Sequence, residues 1–234
     1  MTEDIYLETY LFVSLTEYRI CLYDTKNNKN LYNECLKREK NLSNIDLSVL
    51  IKFLDNNIFK IEKLVGKFIK NIFLILETDK IYKLSFGIKK KNYDNYINKK
   101  FLEKIIIDAK DFYRENNNNY KILHILINKY IVDGNQYSVF EDGIRGDNFS
   151  LEIEFLSISN NFVFEVDKIL KRYQIKIIRY LDGNYIKNFY QNDNTELSTM
   201  VHKIHNGINN NEVKLVNKNL KKLGFFEKFF QFFS

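Results

Sequence analysis

Residues 121–181 read KILHILINKYIVDGNQYSVFEDGIRGDNFSLEIEFLSISNNFVFEVDKILKRYQIKIIRYL, and the order of elements in this stretch decides the fold. Its front is apolar across 122–127 and reaches Tyr130, Val132, Asp133 and Gly134. Branched and aromatic residues running into Asp-Gly are the composition of a strand entering a turn. Gly143 and Gly146 flank Arg145 and predict a second turn with unusual backbone angles. Leu151, Ile153 and Phe155 alternate with Glu152 and Glu154, a strand with one buried face. Asn160 or Asn161 caps a helix whose apolar positions are Phe164, Ile169, Leu170 and Tyr173, and Ile175, Ile177 and Ile178 begin another strand. The stretch is strand, turn, strand, helix, strand.

Working outward, 234 residues hold one large or two small domains. Hydrophobic residues make up 45% and aromatics 15%, which excludes a disordered chain. The formal charge of +6 is modest for a nucleic-acid binder of this length, and no nucleic-acid partner is expected. Cys21 and Cys35 are too few for a disulfide scaffold and fit a reducing cytoplasm. The start, MTEDIYLETY, is acidic and reads as no signal peptide, and no run reaches the length of a transmembrane helix.

Before the central stretch, 6–13, 19–23 and 31–36 read as strands, with a turn at Thr16-Glu17. Ser43 or Asn44 caps a helix to Gly66 whose stripe is Leu47, Leu50, Phe53, Leu54, Ile58, Ile61 and Leu64. Strands follow at 68–76 and 81–88. Residues 89–95, with Lys89, Lys90, Lys91 and Tyr93, read as a polar hinge rather than a nucleic-acid patch. A helix over 97–113 buries Phe101, Leu102, Ile105, Ile106, Ala109 and Phe112.

The central stretch resembles the inserted 1C subdomain of FtsA, the actin-like bacterial cell-division family. The pieces are Ile122-Leu123-His124-Ile125, Tyr130, Val132-Asp133, then Gly143 and Gly146; Ile127 stands where the family has proline and Glu154 where it has histidine. Ala109-Lys110 matches the Ala-Lys pair that ends the preceding family helix. The resemblance implies an α+β fold: a partial actin-like (1A) subdomain over 1–92, a 1C-type α+β sandwich over 93–183, short helices and a linker over 184–212, and an amphipathic helix over 213–234. In the family the first hairpin cradles phosphate with an acid and a glycine. Here it reads Ser14-Leu15-Thr16-Glu17, with both lost, so neither nucleotide nor any other cofactor is expected. The second lobe, which closes over nucleotide and grips the tail of FtsZ in relatives, has no counterpart.

The last residues, VKLVNKNLKKLGFFEKFFQFFS, combine Lys218, Lys221, Lys222 and Lys228 with Leu220, Leu223, Phe225, Phe226, Phe229, Phe230, Phe232 and Phe233. Rings that enter an acyl boundary beside ammonium groups that meet anionic headgroups suit a bilayer surface. The plainer alternative is a helix docked on the protein's own core.

Other groups weigh towards structure. His202 and His205 lie a turn apart without a third ligand, His124 reads as a hydrogen-bonded core histidine, and Glu152 and Glu154 as solvated carboxylates. No catalytic residue or metal site is expected. The resemblance implies a non-enzymatic division adaptor at the cytoplasmic face of the inner membrane. Its partners would be anionic lipids and division proteins: FtsA, FtsZ or the cytoplasmic tail of a membrane protein. The contact residues would be Tyr130, Asp133, Gly143, Arg145 and Gly146. The alternatives are an actin-like ATPase fragment that still binds nucleotide and a PilM-like pilus-assembly scaffold.

Overall fold

The computed structural model describes residues 6–38, 44–191 and 195–214. Strands β1 (Leu7–Ser14), β2 (Glu17–Asp24) and β3 (Lys29–Lys37) precede helix α1 (Leu47–Val65) and strand β4 (Asn71–Glu77). Next come β5 (Tyr82–Ile97), α2 (Lys99–Asn116), β6 (Tyr120–Val132), β7 (Asn135–Tyr137) and β8 (Ile144–Ser159). The described chain ends with α3 (Asn160–Lys171), β9 (Lys176–Asp182), α4 (Gly183–Phe189) and α5 (Leu197–His205). It is a mixed α+β chain with two sheets and two compact units. Of the described residues, the first holds those up to Ile81 and Asn161–Asn206; the second holds Tyr82–Asn160 and 207–214.

In the first unit the sheet order is β3-β2-β1-β4-β9. The pairs β1/β2 and β2/β3 are antiparallel, while β1/β4 and β4/β9 are parallel. Strand β4 is apolar without alternation, Ile72, Phe73, Leu74, Ile75 and Leu76 all being buried, which is the pattern of a strand covered on both faces. Ile186, Met200, Val201 and Ile204 of α4 and α5 pack with Tyr10, Phe12, Phe73 and Ile75 on one side. Helix α1 is joined to the sheet by Tyr18, whose hydroxyl donates to the Asp46 carbonyl at 2.8 Å and whose ring lies 6.3 Å from Phe53. The cap of α1 is Asp46, not Ser43 or Asn44. Its carboxylate accepts from the Ser48 and Val49 amides, where the helix dipole also favours negative charge. Gly66, at φ 69°, ends the helix.

In the second unit the order is β5-β8-β6-β7, with α2 on one face. Helix α2 starts at Asn98, whose side chain accepts from the Phe101 amide. Its apolar face is Leu102, Ile105, Ile106, Ala109 and Tyr113, while Phe112 is 55% exposed, against expectation. Tyr113 stacks on Phe155 at 4.4 Å and its hydroxyl meets Ser157 Oγ at 2.5 Å, so the buried ring leaves no polar group unpaired.

Two further expectations are corrected. Residues 89–95 are not a hinge: β5 runs on through them, paired with β8, and only the bulge between Lys91 and Asn95 interrupts the ladder, where Tyr93 and Asp94 take positive φ. The unit boundary therefore falls at Ile81/Tyr82 rather than 92/93. Second, α3 and β9 belong to the first unit, not to a 1C-type sandwich over 93–183. Strand β9 pairs with β4, and Tyr180 and Leu181 are buried there, which suits an apolar strand needing cover on both faces. In α3 the buried residues include Val163 and Val166, and Phe164 is exposed. Among the described residues no helix is long and apolar enough to cross a membrane. The expected amphipathic helix over 213–234 does not begin at Val213, which is not helical and is buried in the second unit; the rest of it, with all its expected lipid-facing residues, lies outside the described residues.

Candidate functional site

Parallel strands place ligands outside their carboxyl ends. In the first unit those ends are Ser14 of β1, Glu77 of β4 and Asp182 of β9. Beyond Ser14 the chain turns into β2. Ser14 Oγ accepts from the Thr16 and Glu17 amides at 3.2 and 2.9 Å and donates to the Glu17 carbonyl at 3.0 Å. The turn thus spends its N–H donors on its own side chain, as serine turns do.

Across the cleft, Glu77 is ion-paired with Lys187 of α4. Gly183 comes close beneath them: a Cβ there would lie 3.3 Å from Glu77 Cβ, Ile75 Cγ2 and the Leu76 carbonyl. Asp182 is 1% exposed and caps α4 through the Asn184 amide at 2.9 Å. The cleft lined by Phe12, Ser14, Glu17, Glu77, Gly183 and Lys187 encloses about 10 Å³, room for about one water. Its lining has two carboxylates against one ammonium. Among the described residues no group of three His, Cys, Asp or Glu side chains has the arrangement to hold a metal ion.

The expected contact residues of the second unit gather where β6 turns into β7 and β8 begins. Tyr130 is 2% exposed, and burial pushes its phenol pKa up. Asp133 accepts from the Asn148 and Asp147 amides at 2.8 and 3.0 Å, which holds its carboxyl below the usual range. Gly146 is required by close approach, since a Cβ would fall 2.3 Å from Val132 Cγ1 and 2.9 Å from Asp133 Oδ2. Gly143, at φ 86°, donates its N–H to the Ile97 carbonyl. Arg145 is exposed, as Asp133 is; it donates to the Asp94 carbonyl at 2.8 Å and pairs with its carboxylate at 2.7 Å. Asp133, Gly143 and Gly146 thus build the turns, Tyr130 is buried in β6, and Arg145 lies at the surface paired with Asp94. Beside them Ile97, Val132, Tyr137, Val139, Phe140 and Ile144 line a shallow apolar cleft.

The histidines have partners. His202 Nδ1 lies 2.8 Å from Glu8, and the His205 ring sits edge-on to Phe73 at 4.6 Å. Glu154 accepts from Ser85 at 3.1 Å and Glu152 lies 3.8 Å from Lys129. His124 is fully buried, and its partner is Glu212 at 2.7 Å. That pairing was missed in the sequence because 208–212 reads as an Asn-rich linker; the one signal was an acid followed by valine at its end.

No protein-family model and no curated protein matches the chain. Among solved structures, the chain is similar to the PilM–PilN type IV pilus biogenesis complex at TM-score 0.47 and 7% identity, over 79% of this chain and 49% of that one. It is similar to the cytoplasmic domain of EpsL, an inner membrane component of the type II secretion system of Vibrio cholerae, at TM-score 0.37 and 9% identity, over 77% and 57%. A Bacteroides thetaiotaomicron protein with an actin-like ATPase fold is similar at TM-score 0.32 and 11% identity, over 81% and 58%. The chain spans about half to three-fifths of the length of these structures. At these scores the likeness assigns neither family nor activity.

Proposed function

We propose that this chain is a non-enzymatic, FtsA-like adaptor of the division apparatus that works at the cytoplasmic face of the inner membrane. The observation that carries the non-enzymatic part is the Ser14 turn. An amide N–H already bonded to a serine hydroxyl is not free for phosphate, and Glu77 and Glu17 repel one. The membrane part rests on the sequence of the last residues, where a lysine-rich stretch runs into paired phenylalanines. Each lysine near an anionic surface contributes about 1 kcal/mol, so even two or three matter to a weak anchor. Confinement on a membrane then strengthens a weak protein contact by raising effective concentration. In the second unit, Arg145 and the apolar cleft beside it supply the face for division proteins.

Two measurements test this. Titration with a fluorescent ATP analogue should show no saturable binding, and binding would return the chain to the ATPase reading. Deleting residues after Val213 should release the protein from anionic liposomes, and unchanged sedimentation with them would remove the membrane claim. A PilM-like pilus-assembly scaffold is the second reading; the Phe- and Lys-rich ending argues for the first.

A further inference from the structure

Strand β6 is paired along one edge with β8, but along the other β7 reaches only Tyr130, Ile131 and Val132. An open edge of this kind is a template for a further strand. Residues 211–213 take it. Ile127 donates its N–H to the Asn211 carbonyl at 2.8 Å, and Val213 donates to the Ile125 carbonyl at 2.9 Å, with Leu126 and Glu212 forming an antiparallel bridge between them.

Each of the three side chains is read. The Glu212 carboxylate meets His124 Nδ1 at 2.7 Å, the two side chains being 3% and 0% exposed. Asn211 donates to the Ser138 carbonyl at 2.7 Å and accepts from the Tyr130 hydroxyl at 3.4 Å. Val213, 3% exposed, enters the core beside Ile125. A bulge at Leu123 breaks the alternation of β6, so Leu123, His124 and Ile125 are buried in succession and the imidazole is set in a closed position. Main-chain pairing that gives affinity, with side-chain positions that select, is how sheets capture extended peptides.

We propose that this edge of β6 is a strand-docking site for an extended acidic segment, with an amide side chain, a carboxylate and a small apolar residue in succession. Residues 211–213 hold it in cis, and a protein partner that presents such a segment competes for it. A carboxylate enters a buried position only against a partner group, and His124 supplies that group, so the site favours an acid at this place. The net charge of +6 favours the approach of an acidic segment. The resident segment is short, and the chain enters it past Gly207 at φ 85°, so its release leaves the β6–β8 ladder untouched. The proposal asks nothing of the membrane or of division proteins and stands apart from the adaptor reading.

The probe is a fluorescein-labelled peptide of residues 207–214, GINNNEVK, followed by anisotropy against the full chain. Val213→Asp opens the site in cis, and Glu212→Gln loosens the resident segment with the core intact. Both variants should bind the peptide at least tenfold more tightly than the unaltered chain. Peptide with Gln in place of its Glu should bind at least tenfold more weakly, and His124→Ala added to Glu212→Gln should abolish binding. Failure of the Glu212→Gln chain to bind, or equal binding of the two peptides, overturns the proposal. In the unaltered chain the Ile127 and Val213 amides should exchange hydrogen at least tenfold faster than β8 amides bonded to β6; equal rates would mean that the segment opens only with the whole sheet, and overturn it too.

Discussion

Replacing His124 by leucine removes a hydrogen-bonding partner of the buried Glu212 carboxylate. Glu212 lies 2.7 Å from the imidazole with 3% of its side chain exposed, and leucine of similar bulk takes that partner away. Breaking a buried ion pair by removing one member costs about 3–5 kcal/mol. One relief is to lift residues 211–213 from β6. That forfeits two backbone hydrogen bonds, at about 1 kcal/mol each, and the burial of Val213, at about 1.5–3 kcal/mol. The cheaper route sets the loss, so urea unfolding followed by circular dichroism should show about 3–4 kcal/mol less stability. Hydrogen exchange then tells the routes apart, because only lifting exposes the Ile127 and Val213 amides. Glu212→Gln keeps a hydrogen-bonding group against His124 and should cost less, about 1–2 kcal/mol. A His124→Leu loss below about 1 kcal/mol with both amides still protected would refute the reasoning.

Three further outcomes are expected. Gly146→Ala drives a methyl to 2.3 Å from Val132 Cγ1 and should cost about 1–3 kcal/mol by thermal melting, whereas Gly87→Ala, with nothing within 4 Å, should be close to neutral. The carboxyl of Asp46 is held below the ordinary range by the Ser48 hydroxyl and the Val49 and Ser48 amides, and that of Asp133 by the Asn148 and Asp147 amides, so the unfolded chain binds more protons than the folded one. Stability should therefore be full above about pH 4 and fall as acid protonates them, and Asp46→Asn, which still caps α1, should flatten that acid limb. Burial pushes the Cys21 thiol up to about 12 while Cys35 is exposed, so a thiol reagent at pH 8 should modify Cys35 in the native protein and reach Cys21 only in urea; rapid labelling of both would place β2 wrongly.

Local structure was well written in the sequence and long-range pairing was not. The apolar runs at 6–13 and 19–23 and the stripe of Leu50, Leu54, Ile58 and Ile61 state strand, strand and helix by period alone, and the structure has them. Ile175, Ile177 and Ile178 announced a strand but not its sheet, because the same branched residues suit either side of the boundary. Lysines at 89–91 read as a hinge since a solvated loop and an edge strand carry the same charges, and lysine is the usual guard of an edge. The glycines of the candidate contact face were legible as turns, and Gly146 proved indispensable by crowding rather than by φ. His124 was legible as a hydrogen-bonded core group, but nothing local names a partner far along the chain at Glu212.

The parallel pairing of β4 with β9 sets Asn71 beside Lys176, with Tyr82–Asn160 of the second unit strung between them. A ribosome must therefore deliver that insert before the first sheet acquires its last strand. Closing so long a loop is entropically slow unless the intervening chain has already condensed and drawn the two ends together. The insert should accordingly be the earlier to fold, and its collapse the step on which the sheet around it waits.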